Sequence, residues 1–353
     1  MNNGPAVQKN APCLLIRADA SSAIGSGHVM RCLALAKAWQ RAGGNIAWVM
    51  AEGIAALEDR LLKEGIDLQK IDASVGSAQD AAALVSEARR RNAPWVVVDG
   101  YRFAPDYIRQ LKASKLRVLH LDDDGRYDSY PADAVLNQNI CATTAMYERR
   151  DSSTQLLLGP EYVLLRPEFL GQSAAREIPA IAKKLLVTMG GSDPDNVTGK
   201  VLRVLANSKK PLEVKVVIGG GNPHVEELAI LAGRLPLDIQ VERNPRDMAP
   251  LMNWADVAIS AAGSTCWELA FMGVPAIVIP ISSDQRGIAE SLGERRIAAN
   301  LGWHANLSEK TTIDALERLL EDRERRAAFI AFGRSLVDGR GAERVVNFLR
   351  ACL

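Results

Sequence analysis

Short apolar runs alternate with amphipathic runs along almost the whole chain. The runs at 13–16, 45–50, 68–71, 95–98, 117–121 and 134–137 are brief, largely aliphatic and bounded by turn residues. Runs of that length and make-up predict strands buried on both faces. Between them, 28–41, 55–64, 77–91 and 105–113 place apolar residues at helical spacing. Gly43-Gly44 stops the first of these helices, and the basic run 89–91 suits the carboxyl end of the third. After a small, polar, proline-containing stretch at 171–182 the pattern restarts. It predicts strands at 184–189, 213–218, 238–242, 257–260 and 275–280, helices at 196–206, 224–233, 247–254 and 265–272, and a mostly helical tail at 308–353. Such alternation signals α/β structure, with parallel sheets covered by helices on both faces. In these sheets ligands bind beyond the carboxyl ends of the strands. His28, Asp99 with Tyr101, Asp122 with Asp123, and Asn139 all fall at such ends. No convincing sequence repeat relates the two halves.

Composition narrows the classes. The 353 residues suit two domains, and an apolar content of 48% can fill two cores. The expected division is a loose tail at 1–12, a first domain at 13–175 and a second at 176–353, with the last helix packing back on the first domain. The 43 basic and 42 acidic residues balance, which argues against a general nucleic-acid binder. An anionic ligand would then be held by local geometry. Five scattered cysteines without C-x-x-C spacing suggest neither zinc nor a disulfide framework, but free thiols in a reducing compartment. The first dozen residues lack the apolar core of a signal peptide, and no apolar run is long enough to cross a bilayer. The expectation is a soluble, cytoplasmic protein with no membrane partner.

Three strand-to-helix turns carry candidate chemistry. The first is Gly25-Ser26-Gly27-His28. Its glycines let backbone N–H groups approach an anion, and His28 adds an imidazole that titrates near neutral pH. His28 reads either as a general base for water or as a plain helix cap. A dinucleotide fingerprint needs a third glycine, and Met30 stands there instead, so a nicotinamide cofactor is disfavoured. The second turn is Met189-Gly190-Gly191-Ser192-Asp193. Its N–H groups suit a phosphate, while Ser192 or Asp193 suits a helix cap. The third is the run from Ser260 to Glu268, where Gly263, Ser264 and Thr265 open a helix. Glu268 can take two ribose hydroxyls, or serve as a first-turn acid favoured by the helix dipole. Adjacent acids such as Asp122, Asp123 and Asp124 rarely point one way, so turn and capping roles are expected there, and no metal. His120, His224 and His304 have no partner at ligand spacing. The stretches 89–91 and 321–326 read as solvated helix faces.

Together these residues resemble the UDP-sugar hydrolase family of pseudaminic acid biosynthesis, UDP-2,4-diacetamido-2,4,6-trideoxy-β-L-altropyranose hydrolase. The resemblance rests on Arg17-x-Asp19, Ile24-Gly-x-Gly-His-x-x-Arg31, Asp99-x-Tyr101, Asp122-Asp123, Leu136-Asn-x-Asn139 and Gly159-Pro-x-Tyr-x-Leu-Leu-Arg-x-x-Phe169. It continues through Met189-Gly-Gly-Ser-Asp193, Ser264-Thr-x-x-Glu268 and Gln285, and so covers nearly the whole chain beyond the tail. It implies the GT-B architecture, two Rossmann-like domains whose parallel sheets face a central cleft. The second domain is similar to that of the transferase that adds N-acetylglucosamine to lipid I. The resemblance makes His28 the catalytic residue and places Tyr101, Asn139 and Arg166 on the sugar side. It puts Gly190, Gly191, Ser264 and Thr265 around the diphosphate, Glu268 on the ribose and Gln285 near the diphosphate or sugar. Gly25, Gly27, Arg31 and Ser192 complete the expected substrate contacts. Family members often read Asp-His-Tyr where this chain has Asp99-Gly100-Tyr101, so an imidazole is missing on the sugar side. The implied reaction is hydrolysis of a UDP-linked N-acetylated deoxysugar to UDP and free sugar, without cofactor or metal, in nonulosonic acid biosynthesis. A GT-B glycosyltransferase with the same donor and a non-catalytic nucleotide-sugar binding module are the alternatives. The expected partner is the small-molecule UDP-sugar, without nucleic acid, on a monomer or weak homo-oligomer.

Overall fold

The computed structural model describes residues 11–21, 24–172 and 176–353. The expected tail therefore lies, through residue 10, outside the described residues, as do 173–175 in the stretch expected to divide the domains. The chain forms two compact units. The first holds the described residues up to Ser21, then His28–Arg166 and Arg340–Leu353. The second holds Pro167–Gly339 and the described residues of the 22–27 turn.

In the first unit the chain runs β1 (Cys13–Ala18), α1 (Gly27–Arg41), β2 (Asn45–Met50), α2 (Ala55–Lys63), β3 (Asp67–Lys70) and α3 (Ala78–Arg90). It continues through β4 (Trp95–Asp99), α4 (Pro105–Ala113), β5 (Arg117–Leu121), β6 (Ala134–Asn137) and β7 (Gln155–Leu158). The seven strands make one sheet in the order β3-β2-β1-β4-β5-β6-β7, every pair parallel. Alternate residues of β1 show why its run is continuously apolar. Leu14, Ile16 and Ala18 enter a core with residues of α1, while Cys13 and Leu15 enter another with residues of α3 and α4. Burying each such aliphatic side chain stabilises the sheet by about 1.5–3 kcal/mol.

The second unit follows with α5 (Pro167–Leu170), β8 (Lys184–Thr188), α6 (Val197–Leu205), β9 (Glu213–Ile218), α7 (Val225–Arg234), β10 (Asp238–Arg243) and α8 (Ala249–Trp254). It goes on with β11 (Val257–Ala261), α9 (Thr265–Met272), β12 (Ala276–Ile279), α10 (Gln285–Glu294), β13 (Ala298–Asn300), α11 (Glu309–Glu321) and α12 (Arg323–Leu336). Its sheet is β10-β9-β8-β11-β12-β13, again wholly parallel. Strand β13 carried no periodic signal, being three residues without a β-branched side chain. The last helix, α13 (Gly341–Ala351), supplies Val345, Val346 and Leu349 to the first unit's core, where Trp95 Nε1 donates to the Leu349 carbonyl at 3.1 Å.

Arg326 corrects the expectation of a solvated face at 321–326. Its side chain is only 1% exposed. It donates to the Leu319 and Leu320 carbonyls near the end of α11 and to those of Pro179 and Ala180. A helix end leaves carbonyls without partners, and a guanidinium is suited to collect several at once. Spacing alone does not show a basic residue turned inward for this purpose.

Arg17 is also buried, and donates to both Asp80 oxygens at 3.0 and 2.8 Å. Asp19 accepts from the Ala51 and Glu52 N–H groups at 2.8 and 3.0 Å. The Arg17-x-Asp19 pair thus anchors the end of β1 to α3 and to the end of β2.

His120, on β5, is buried beside Tyr127 and Tyr130, and burial pushes its imidazole down from 6.5 to about 4. Between these values the unfolded chain takes up a proton that the folded chain refuses, so stability falls as pH drops from 6.5 through 4. The loss amounts to about 3 kcal/mol when complete. His120→Leu is expected to flatten this stretch of the stability–pH curve, measured by urea unfolding at each pH.

Candidate active site

The strand order of the first sheet reverses between β1 and β4, so the segments leaving those strands diverge. An open parallel sheet leaves room for a ligand at such a point. Ala18 pairs with Asp99 across the two strands. This register brings the last residue of β4 beside the chain that enters α1. His28 and Asp99 meet there although 71 positions separate them.

His28 Nδ1 lies 2.7 Å from Asp99 Oδ1, with both side chains buried. An ionised carboxylate only accepts hydrogen bonds, so Nδ1 carries a proton toward Asp99, and in the neutral imidazole Nε2 then keeps its lone pair; Arg31 Nη2 lies 3.3 Å from the same Nδ1. Arg31, one turn along α1, donates to both Asp99 oxygens from Nε and Nη2 at 2.7 Å each. It donates to both Asp123 oxygens from Nη1 and Nη2 at 2.6 and 2.9 Å. Asn139 Nδ2 reaches Asp123 Oδ1 at 3.0 Å, and Cys32 Sγ donates to Asp99 Oδ2 at 3.3 Å.

Burial works to raise the Asp99 carboxyl, but Arg31 and then His28 outweigh it and hold the group well below the usual carboxylate range. Asp123 is lowered too, with burial opposing and Arg31 prevailing. Burial, and next the Asp99 charge, push the Cys32 thiol far up, so it stays a neutral donor. One guanidinium thus bridges two carboxylates. The cluster holds one negative charge in excess, and a proton accepted by His28 brings it to neutrality. Turn and capping roles were expected for most of Asp122, Asp123 and Asp124; Asp123 instead pairs with Arg31. Asp122 does take the turn role, accepting from Gly125 N–H at 2.7 Å and from Tyr147 Oη at 2.8 Å.

Tyr101 stands edge-on to His28, with ring centroids 4.7 Å apart and planes at 82°. Arg126 lies over the Tyr101 ring, its Cζ 4.2 Å from the centroid. His28, Arg31, Tyr101, Arg126 and Tyr127 line one recess. Arg166 is buried at the end of the first unit's main segment.

The strand order of the second sheet reverses between β8 and β11, where Thr188 pairs with Ser260. The Met189–Asp193 and Ala262–Ser264 turns therefore leave adjacent strands. Their helix starts differ. Asp193 accepts from the Val197 and Thr198 N–H groups at 2.7 and 2.9 Å, so its own carboxylate closes the start of α6. The cap residue itself is Asn196, whose Oδ1 accepts from Gly199 N–H at 3.1 Å, so neither Ser192 nor Asp193 is the cap and Asp193 supports it from the turn before. Ser264, exposed at the start of α9, makes no side-chain cap bond. Thr265 and Glu268 follow in the first turn, both half-buried. Gln285 Oε1 accepts from Ile281 N–H at 3.0 Å, and its Nε2 lies 3.4 Å from where a Cβ on Gly263 would stand.

Gly190 has φ +80°, a region that favours glycine. The Gly25–Gly27 residues group with the second unit, where a Cβ on Gly191 would meet Ser26 Oγ at 2.5 Å. A Cβ on Gly219 would lie 2.4 Å from the carbonyl oxygens of both Gly190 and Gly191. Gly219→Ala is expected to displace that turn and cost about 1–3 kcal/mol, read from the urea midpoint.

Among the described residues no group of three or more His, Cys, Asp or Glu is arranged to hold a metal ion, and no helix is long and apolar enough to cross a membrane. Sequence reasoning named Asp99 only within a motif and passed over Asp123 as a partner of Arg31. The available signal was an acid at the end of each of two neighbouring strands.

The glycosyltransferase family 28 C-terminal domain matches residues 185–331 of this chain. The spore coat polysaccharide biosynthesis protein SpsG of Bacillus subtilis (strain 168) is 31% identical over 241 residues, which are 66% of this chain and 68% of that protein. The UDP-2,4-diacetamido-2,4,6-trideoxy-β-L-altropyranose hydrolase of Campylobacter jejuni subsp. jejuni serotype O:2 is 26% identical over 284 residues, 80% of this chain and 96% of that protein. The crystal structure of Acinetobacter baumannii MurG matches with a TM-score of 0.65 at 18% identity, covering 96% of this chain and 99% of that one. The two parallel-sheet, Rossmann-like units are thus those of the GT-B fold.

Proposed function

The chain belongs to the family of the spore coat polysaccharide biosynthesis protein SpsG, and from that premise we propose that it hydrolyses a UDP-linked sugar to UDP and free sugar. The proposed substrate is UDP-2,4-diacetamido-2,4,6-trideoxy-β-L-altropyranose or a close relative, and the proposed setting is nonulosonic acid biosynthesis. The Campylobacter relative supports this choice. The observation that carries the reading is the buried His28–Asp99 pair, an imidazole with Nδ1–H engaged and Nε2 available.

In this reading a water attacks the anomeric carbon and gives its proton to His28 Nε2. The bond from that carbon to the UDP oxygen breaks, and its electron pair leaves on the diphosphate. Attack opposite the leaving group inverts the centre. The imidazolium that forms is paired with Asp99 in a cluster that lacked one positive charge. Arg31 and Asn139 act on Asp99 and Asp123 rather than on substrate, because those carboxylates take their hydrogen bonds. Tyr101 and Arg166 belong to the sugar side. In the second unit, N–H groups at Gly190, Gly191 and Ser192 and at Ser264 and Thr265 receive the diphosphate, stabilising charge as it grows. Glu268 takes the ribose hydroxyls, and Gln285 lies toward the diphosphate or sugar.

The match to a glycosyltransferase domain favours a second reading, in which an acceptor hydroxyl replaces water at the same base. The deciding experiment incubates the protein with the UDP-sugar alone and follows UDP and free sugar by mass spectrometry. Equal release of both is expected. UDP release only after an acceptor is added would replace hydrolysis by transfer.

A further inference from the structure

We infer that Arg126, held by Asp124, is a positioning residue that sets the plane of the His28 ring through Tyr101; the inference rests on the proposed role of His28. The imidazole turns about its Cβ–Cγ bond, and the bond from Nδ1 to Asp99 restricts that rotation but leaves a range of tilt, because a hydrogen bond tolerates some misalignment. Tilt within that range moves Nε2 relative to the water it is to activate. A contact on the ring itself narrows it. Tyr101 supplies that contact, edge-on at 4.7 Å and 82°.

Tyr101 is itself held from two sides by consecutive residues. Arg126 Nε and Nη2 donate to the two Asp124 oxygens at 2.9 and 2.7 Å. This fork fixes the guanidinium, whose Cζ rests 4.2 Å from the Tyr101 ring centroid. A cation over an aromatic face is attracted by the ring quadrupole. Tyr127 Oη donates to the Tyr101 carbonyl at 2.8 Å. The backbone that delivers Tyr101 needs Gly100, at φ +150°, where a Cβ would press on the Phe103 ring at 3.0 and 3.3 Å. The charge of Arg126 is met by Asp124, so its place is over Tyr101 rather than as a free anion receptor.

The test compares Arg126→Gln, Arg126→Lys and Tyr101→Ala with the wild type, together with the Arg126→Gln change in the Tyr101→Ala background. Arg126→Gln is expected to lower kcat about tenfold with KM changed less than about twofold, as a misaimed base would. Arg126→Lys keeps a cation over the ring and recovers most of the rate. In the Tyr101→Ala background the Arg126→Gln change adds nothing, because the two act in series. A second measurement needs no turnover. The chain has four histidines, so the His28 ring C–H resonances are assigned by their loss in His28→Asn. Arg126→Gln should move them in the same direction as Tyr101→Ala. Unmoved resonances overturn the inference. So does a rise in KM at unchanged kcat, which marks direct substrate contact, or an undiminished effect in the Tyr101→Ala background. If the wild type releases no UDP from any donor, the hydrolase reading fails, while the resonances still decide the role of Arg126.

Discussion

His28→Asn is expected to slow UDP release about 10³-fold, the scale on which a positioned general base contributes. Asn is close to His in reach and can still donate toward Asp99, so the α1 start should keep its form. It has no lone pair of comparable basicity to offer as Nε2 does. The proposed nucleotide contacts are at the Gly190 and Ser264 turns, away from His28 in sequence. UDP affinity measured by calorimetry should therefore change by less than about twofold. A slow enzyme with unimpaired UDP binding is the signature sought. An unchanged rate would remove His28 from the chemistry, and a lost UDP affinity would assign it to the nucleotide instead.

Asp99→Asn is the second large effect, and it separates orientation from basicity. The substitution keeps volume and removes one charge. With an amide at 99 the imidazole can place its proton on Nε2, which silences the lone pair needed for water. A kcat loss of about 10²–10⁴-fold is expected, with KM little changed. The buried excess negative charge beside His28 also disappears. Arg31 keeps Asp123 but loses its ionised partner at 99, so a stability loss of about 1–3 kcal/mol accompanies the rate effect. Urea unfolding measures it. A variant as active as the wild type would show that Asp99 serves only the fold. Because the Asp99 carboxyl is lowered in the folded chain, its contribution to stability is complete above the unfolded value near 3.8 and is lost as pH falls through the folded one.

Much of this arrangement is legible in the chain. Runs such as Trp95-Val-Val-Val98 are too short and too apolar for anything but a buried strand in a layered sheet. Their alternation with helices makes the sheets parallel and sends candidate residues to the carboxyl ends. The Gly25, Gly190 and Gly263 turns announce themselves by composition. Where periodicity failed, the cause was local. Strand β13 is three residues long, so pairing with β12 rather than propensity makes it a strand. Arg326 turns inward because helix-end carbonyls need donors, a demand that arises only once α11, α12 and the 179–180 segment are packed together.

The site divides along the same line. The sequence by itself determined which side chains stand at strand ends, since strand length and helix phase are short-range properties. It placed His28 at the start of α1, Asp99 at the end of β4 and Asp123 just beyond β5. Only the tertiary structure decided that Asp99 and Asp123 share Arg31 and that Asp99 meets His28, because strand order sets which ends are neighbours. Strand order is a long-range choice made by the whole sheet, here by the reversal between β1 and β4. The same reversal gave Asp99 to His28, and so decided which imidazole nitrogen is left free.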